Sequence, residues 1–316
     1  MSTFEGPGNA NMDHWTSIRS SLPSGIYFVP DWTSQGPGYK RELVDGYFSW
    51  DMWPAGASDK TTASDQAYKS VQGASYMMGV SPWFYTDLPG WGKSWVWRGD
   101  ALWYQRWEQV NEILPEFVQI VTWNDFGESH YIGPIYESGV PQGGDTDALR
   151  YVQGMDHTAW LETLDWHIAA YKNAFDSSNP APSVPEDKIV YWYRLHPASA
   201  GTTQSTGNNC PSPVNQFPYQ ECAPIPEVLE DTVFAIALLS SPGSISISIG
   251  DGQAQTFDGL QAGINFVEMP FVGRTGVVSV TSSSGVSGSG EEIVAQPAGG
   301  VANFNAWVGC AGACRA

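Results

Sequence analysis

Basic residues are scarce in this chain. Lys and Arg number 14 against 33 Asp and Glu, giving a net charge of −19 over 316 residues. Such a surface repels a phosphate backbone, which argues against nucleic acid as a partner and leaves a neutral polymer compatible. No apolar run approaches the ~20 residues that span a bilayer, so no membrane partner is expected. Met1-Ser2-Thr3-Phe4-Glu5-Gly6 has neither a basic start nor an apolar stretch, so no secretory signal is read there. Histidines number only five, and no P-loop, GxGxxG or zinc motif occurs. The expectation is therefore no cofactor and no metal. Cysteines are also few: Cys210, Cys222, Cys310 and Cys314, all in the last third. An even cluster in a loop-rich tail favours disulfides and an oxidising compartment. Local pairs, Cys210–Cys222 and Cys310–Cys314, are expected over the two other connectivities.

Aromatic rings are abundant instead, with 15 Trp, 14 Tyr and 13 Phe. That exceeds what a core needs, and Trp is rarely packed fully inside. Flat exposed rings suit the apolar faces of sugars.

Up to about residue 178 short apolar runs alternate with helical stretches, the pattern of an α/β fold with a parallel sheet. The expected strands are Ser2–Phe4, Gly25–Val29, Gly46–Trp50, Tyr76–Val80 and Phe117–Thr122. The expected helices are Asp13–Ser21, Asp59–Gln72, Asp100–Leu114 and His157–Phe175. The first three begin near an aspartate, a favourable N-terminal residue. From Asn179 the pattern changes. "NPAPSVPED" reads as a linker, and residues 179–316 carry short alternating runs with a hairpin signal at Asp251-Gly252. This predicts an all-β antiparallel sandwich in an accessory role. The Ser/Gly-rich stretch from Thr281 to Gly290 is expected to be a mobile loop.

Every expected strand of the first half ends in an acid, usually beside a ring: Glu5, then Asp31-Trp32, Asp51 with Trp53, Trp83 to Asp87, and last "WNDFGESHY", Trp123 to Tyr131. One such aspartate would be a helix cap; five in a row predict a shared cleft at the C-terminal ends of barrel strands. In the last of these, Asp125 and Glu128 stand three positions apart on a turn that Gly127 permits. Glycoside cleavage needs such a pair, one carboxyl protonated and one ionised. Asn124, His130 and Tyr131 are candidate sugar-binding and orienting groups. Asp31, Trp32, Asp51, Trp53, Trp83, Tyr85 and Trp123 are candidate substrate contacts. Trp103, Trp107, Trp160 and Trp166 read as packing residues.

The string "WNDFGESHYIGP" resembles the signature of glycoside hydrolase family 71, the fungal α-1,3-glucanases or mutanases. "STFEG", "FVPDW", "GYFSWDMWP" and "GVSPWFYTDLPGW" are similar to the same family in the same order. The resemblance implies a (β/α)8 TIM-type barrel, α-1,3-glucan as partner, an extracellular or cell-wall setting and inversion at the anomeric carbon. It places the catalytic pair at Asp125 and Glu128. Glu128 is expected to be the general acid, because its longer arm reaches farther, with Asp125 as base; the reverse order stays open. Inversion predicts carboxyl groups ~6.5–9.5 Å apart, and a separation near ~5 Å would point to a retaining enzyme instead. Five strands fall short of eight. The expectation is thus the C-terminal part of a barrel, residues 1–178, whose first units precede Met1. A non-catalytic glucan-binding or cell-wall protein is the alternative.

Overall fold

In the computed structural model of the chain, residues 14–144, 146–202 and 223–315 are described. The expected strand Ser2–Phe4, Glu5 and the Cys210–Cys222 pair lie outside the described residues.

Helix α1, His14–Ser21, comes first, then strand β1, Gly46–Phe48, helix α2, Ala63–Lys69, and β2, Ser75–Val80. A hairpin follows, β3, Tyr85–Leu88, and β4, Lys93–Val96, then α3, Leu102–Ile113, and β5, Phe117–Ile120. Parallel neighbours need a crossover, which α2 supplies between β1 and β2 and α3 between β2 and β5. The three strands form a parallel sheet in the order β1-β2-β5. The expected strand Gly25–Val29 is extended backbone beside β1: Phe28 O accepts from Asp45 and Gly46 N–H, and Pro30 O from Phe48 N–H. The α/β class expected for this half stands; among the described residues its parallel strands make an open three-stranded sheet and no closed barrel. β5 is its edge. Phe117 to Ile120 alternate exposed and half-buried, so the continuous apolar run is not the doubly buried strand its composition suggested.

The hairpin was not legible in the sequence, where residues 81–87 read as a loop. The helices start later than expected, and neither Asp59 nor Asp100 caps one: Thr62 and Ala101 precede α2 and α3 without a side-chain cap. The stretch His157–Phe175 divides into a 3₁₀ turn, Thr158–Thr163, and helix α5, Leu164–Phe175. Before it come a two-stranded turn, β6, Gln142–Gly143, with β7, Thr146–Asp147, and a short helix α4, Leu149–Val152.

The second half holds β8, Lys188–Tyr193, a short helix α6, Ile225–Val228, β9, Thr232–Leu239, and β10, Gly243–Ile249. It continues with β11, Gln255–Leu260, β12, Gly263–Pro270, β13, Gly276–Ser282, β14, Ser287–Ile293, and β15, Trp307–Gly312. They make two antiparallel sheets, β11-β10-β13-β14 and β12-β9-β8-β15, compatible with a sandwich. The inner faces meet in one core: Ile245, Ile247 and Val280 of one sheet against Ile189, Val233 and Ala235 of the other. The second sheet is also covered behind. Its Trp192, Phe234 and Ile236 pack with Trp103, Trp107 and Trp160 from the α/β half. This is why β9, "TVFAIALL", is buried at all eight positions rather than at alternate ones. Gly252 N–H reaches Ile249 O at 3.0 Å, closing the expected hairpin at Asp251-Gly252. The stretch 281–290 is corrected from loop to strand over Ser287–Gly290, because β14 pairs with β13. Cys310 and Cys314 are disulfide-bonded, as the spacing suggested.

Asp100 joins the two halves. Its backbone O accepts from Trp192 Nε1 at 2.7 Å, and its Oδ2 from Glu230 N–H at 2.9 Å. Burial pushes its carboxyl up to about 7; Arg194 and Arg98 oppose the shift, Asp59 and Asp231 add to it. A folded pKa above the ordinary 3.8 means that the native state binds the proton more tightly. Its contribution to stability is full below that value and is lost as pH rises through about 7. Melting temperatures measured between about pH 4 and about pH 8 should fall across that window, and Asp100→Asn should flatten the slope. Asn suits the left-handed backbone at this position, φ 21°. An unchanged slope in the variant would remove Asp100 from the explanation.

Candidate active site

The segment after β5 folds back on itself locally. Thr122 N–H donates to His130 O and Ile132 N–H to Thr122 O, each at 2.9 Å. Within this clasp Phe126–Glu128 make one 3₁₀ turn. Asp125 precedes the turn, and its Oδ1 accepts the Glu128 N–H at 3.1 Å. Thr122 Oγ1 accepts the Asp125 N–H at 2.9 Å and lies 3.1 Å from His130 Nδ1. The three-residue spacing read in "DFGE" therefore puts both acids on one short turn. Gly127 is confined from outside: a Cβ there would sit 3.1 Å from Pro141 and 3.4 Å from Leu88. Its carbonyl accepts from Tyr151 Oη at 2.8 Å.

His130 is fully buried below the pair, and Trp53 and Phe84 lie against its ring. Its Nε2 is 3.0 Å from Glu128 Oε2 and 3.8 Å from Asp125 Oδ2. A carboxylate only accepts, so Nε2 carries the proton that faces Glu128. On the other side Lys93 Nζ donates to Glu128 Oε1 at 2.8 Å. Burial pushes Glu128 up, but His130 and Lys93 outweigh it and hold the carboxyl at about 2. Asp125 moves the opposite way. Burial raises it and the charge of Glu128 adds to this, while His130 works against both. The side chain is nevertheless 43% exposed, so its carboxyl meets solvent while that of Glu128 is held by Lys93 and His130. One donor atom each from Asp125, Glu128 and His130 falls within 4.8 Å of the others. That spacing could hold a cation, but the Lys93 ammonium already bonds Glu128, and such a charge beside the cluster opposes a metal ion.

The other expected site residues divide sharply. Trp123 is 53% exposed, its ring lying against Gly133, where a Cβ would come within 2.7 Å of the indole. Asn124 beside it is exposed. Asp51 is half-buried and paired with Lys60 at 2.7 Å; Asp31 accepts from Thr33 Oγ1 at 2.7 Å, and burial raises its pKa. Trp32, Trp83, Tyr85 and Tyr131 are buried and offer no face to a sugar. Trp32 sits among Trp15, Phe28 and Tyr39, and Trp83 Nε1 donates to Phe304 O at 2.9 Å. Tyr85 packs edge-on to Tyr151 and Phe304, and Tyr131 stacks on His157. Trp53 is buried too, its Nε1 donating to Trp83 O, so its ring supports His130. The expectation of substrate contacts at Trp32, Trp53, Trp83 and Tyr85, and of a sugar-binding or orienting group at Tyr131, is corrected to packing in the core. Trp103, Trp107 and Trp160 are buried as expected. Thr122 and Lys93 were missed. The available signal for Lys93 was a lysine among rings, "GWGKSWVW", in a chain with little positive charge.

Two neighbouring acids displaced in opposite directions are an arrangement in which one group can give a proton and the other take one. The family model described as Glycosyl hydrolase family 71 matches residues 1–315, and the chain belongs to that family. It is 34% identical over 306 residues to a glucan endo-1,3-alpha-glucosidase of Schizosaccharomyces pombe, covering 93% of this chain and 66% of that protein. It is 32% identical over 263 residues to a mutanase of Penicillium rubens, covering 79% of this chain and 52% of that protein. It is 26% identical over 277 residues to an ascus wall endo-1,3-alpha-glucanase of S. pombe, covering 84% and 60%. The chain thus spans between half and two thirds of the length of these relatives. No solved structure matches it.

Proposed function

We propose that the chain hydrolyses the α-1,3-glucosidic bonds of α-1,3-glucan, in an extracellular or cell-wall setting, with Asp125 and Glu128 as its acid–base pair. The observation that carries this reading is the placing of both acids on one turn, with each oxygen of Glu128 held by a separate donor. It favours roles opposite to those expected from arm length. Asp125, raised and open to solvent, is the general acid that protonates the leaving oxygen. Glu128, held ionised by Lys93 and His130, is the base that draws a proton from water. Trp123 gives the sugar a flat apolar face.

Inversion, implied by the family resemblance, is part of the proposal. Its pair spacing of about 6.5–9.5 Å exceeds the nearest approach here. That approach, within 4.8 Å, is nearer the ~5–5.5 Å of a retaining pair, so the stereochemistry of the first product decides between the two.

The test is release of reducing sugar from insoluble α-1,3-glucan by the purified chain, with the β-1,3-glucan laminarin as control. Proton NMR of the first product reads the stereochemistry. Inversion gives the β-anomer, and an initial α-anomer would make the enzyme retaining. Polymer binding without sugar release would replace the hydrolase with a glucan-binding protein.

A further inference from the structure

The β3–β4 hairpin supplies one charged group to the acid pair. Lys93 opens β4, just after the turn Pro89–Trp91, and reaches Glu128 across 35 positions of sequence. It is one of six lysines in a strongly acidic chain. The base it extends from is fixed on several sides. Asp87 on β3 pairs with Arg150 and with Ser94 Oγ on β4. Trp95 stacks on Phe84, their ring centroids 5.8 Å apart. Leu88 backs Gly127. A rigid hairpin thus carries the lysine, and only its side chain needs ordering to meet the carboxylate.

Each oxygen of Glu128 is held by a different donor, Oε1 by Lys93 and Oε2 by His130. Together they fix the rotation of the carboxylate as well as its charge. The groups facing Glu128 are Lys93 from β4, Asp125 from its own turn and His130 from the loop after it. Tyr151 of α4 lies farther out, with the Asp87–Arg150 pair next to it.

We propose that Lys93 is a positioning residue that divides the labour of the acid pair: by holding Glu128 Oε1 it leaves Asp125 as the partner that carries the proton. The inference rests on the acid–base reading of Asp125 and Glu128. Without the ammonium, only the His130 contact would oppose the effect of burial on Glu128, and its carboxyl would move up toward that of Asp125.

The test compares Lys93→Met and Lys93→Arg with the parent by two readouts. The first is carbon-13 NMR titration of the glutamate side-chain carboxyls, with Glu128→Gln assigning the resonance. Lys93→Met should move the Glu128 midpoint up by at least about one pH unit, and Lys93→Arg should restore most of the shift. The second is kcat/KM on soluble α-1,3-gluco-oligosaccharides. Lys93→Met should lose about twofold or more near pH 3 and little near pH 6.5, as a base midpoint moved up from about 2 by about one unit requires. An unmoved midpoint, or a loss equal at every pH, would overturn the inference and leave Lys93 a structural residue. A parent chain inactive on α-1,3-glucan would instead remove the hydrolase reading, and the titration would still decide whether Lys93 holds Glu128 ionised.

Discussion

Asp125→Asn and Glu128→Gln should each lower release of reducing sugar from α-1,3-glucan by about 10³-fold or more. General acid or base assistance contributes roughly 10²–10⁴-fold, and here the two functions rest on adjacent side chains. An asparagine at position 125 cannot donate a carboxyl proton to the leaving oxygen. A glutamine at position 128 cannot take a proton from water. Both substitutions preserve shape. The amide oxygen of the introduced asparagine can still accept the Glu128 N–H that Asp125 Oδ1 accepts now, so the turn should survive. Polymer binding should persist, because Trp123 and its support on Gly133 are untouched. Restoring activity to Glu128→Gln with azide or formate would separate the roles further, since a small anion can replace a lost base more readily than a lost acid. Rates within about tenfold of the parent in both variants would move the chemistry to other acids.

The second large effect is on stability. Asp65 on α2 and Arg106 on α3 are fully buried and form a two-pronged pair, Nη1 to Oδ2 at 2.9 Å and Nη2 to Oδ1 at 3.0 Å. Arg106 Nη2 also reaches Gly79 O on β2 at 2.8 Å, and Tyr76 Oη donates to Asp65 Oδ1 at 2.7 Å. The pair thus fastens both helices to the middle strand of the parallel sheet. Asp65→Ala strands a guanidinium in the core and should cost about 3–5 kcal/mol in denaturant unfolding. Removing both charges, as in Asp65→Leu with Arg106→Met, should cost less than the single change, because no uncompensated ion remains. A single variant within about 1 kcal/mol of the parent would mean that water reaches the pair.

What could be read in advance followed the range of the interactions involved. The sandwich strands near 188–194, 233–238, 244–249, 264–270 and 276–280 were legible because side-chain alternation and turn residues are local signals. β14 was not, since "SGSGEE" has little apolar character and becomes a strand only by pairing with β13. The hairpin at 85–96 was hidden by its many rings, which suit a strand, a core or a surface equally. The same ambiguity misplaced Trp32, Trp83, Tyr85 and Tyr131: a ring beside an acid reads alike whether it faces a cleft or supports one from below.

The sequence by itself determined the juxtaposition of Asp125, Glu128 and His130, because a clasp and turn spanning about a dozen residues bring them together. It also determined the excess of acidic over basic residues, whereas the Cys310–Cys314 bridge was one of three connectivities until the structure chose it. Tertiary structure alone decided what surrounds the two acids, since Lys93 arrives from a separate hairpin and burial comes from rings scattered along the chain. It likewise decided that β9 has two dry faces and β5 an open edge. The physical reason is common to these cases. Spacing along the chain fixes which groups meet within a turn, whereas solvation and long-range charge depend on neighbours that only folding supplies.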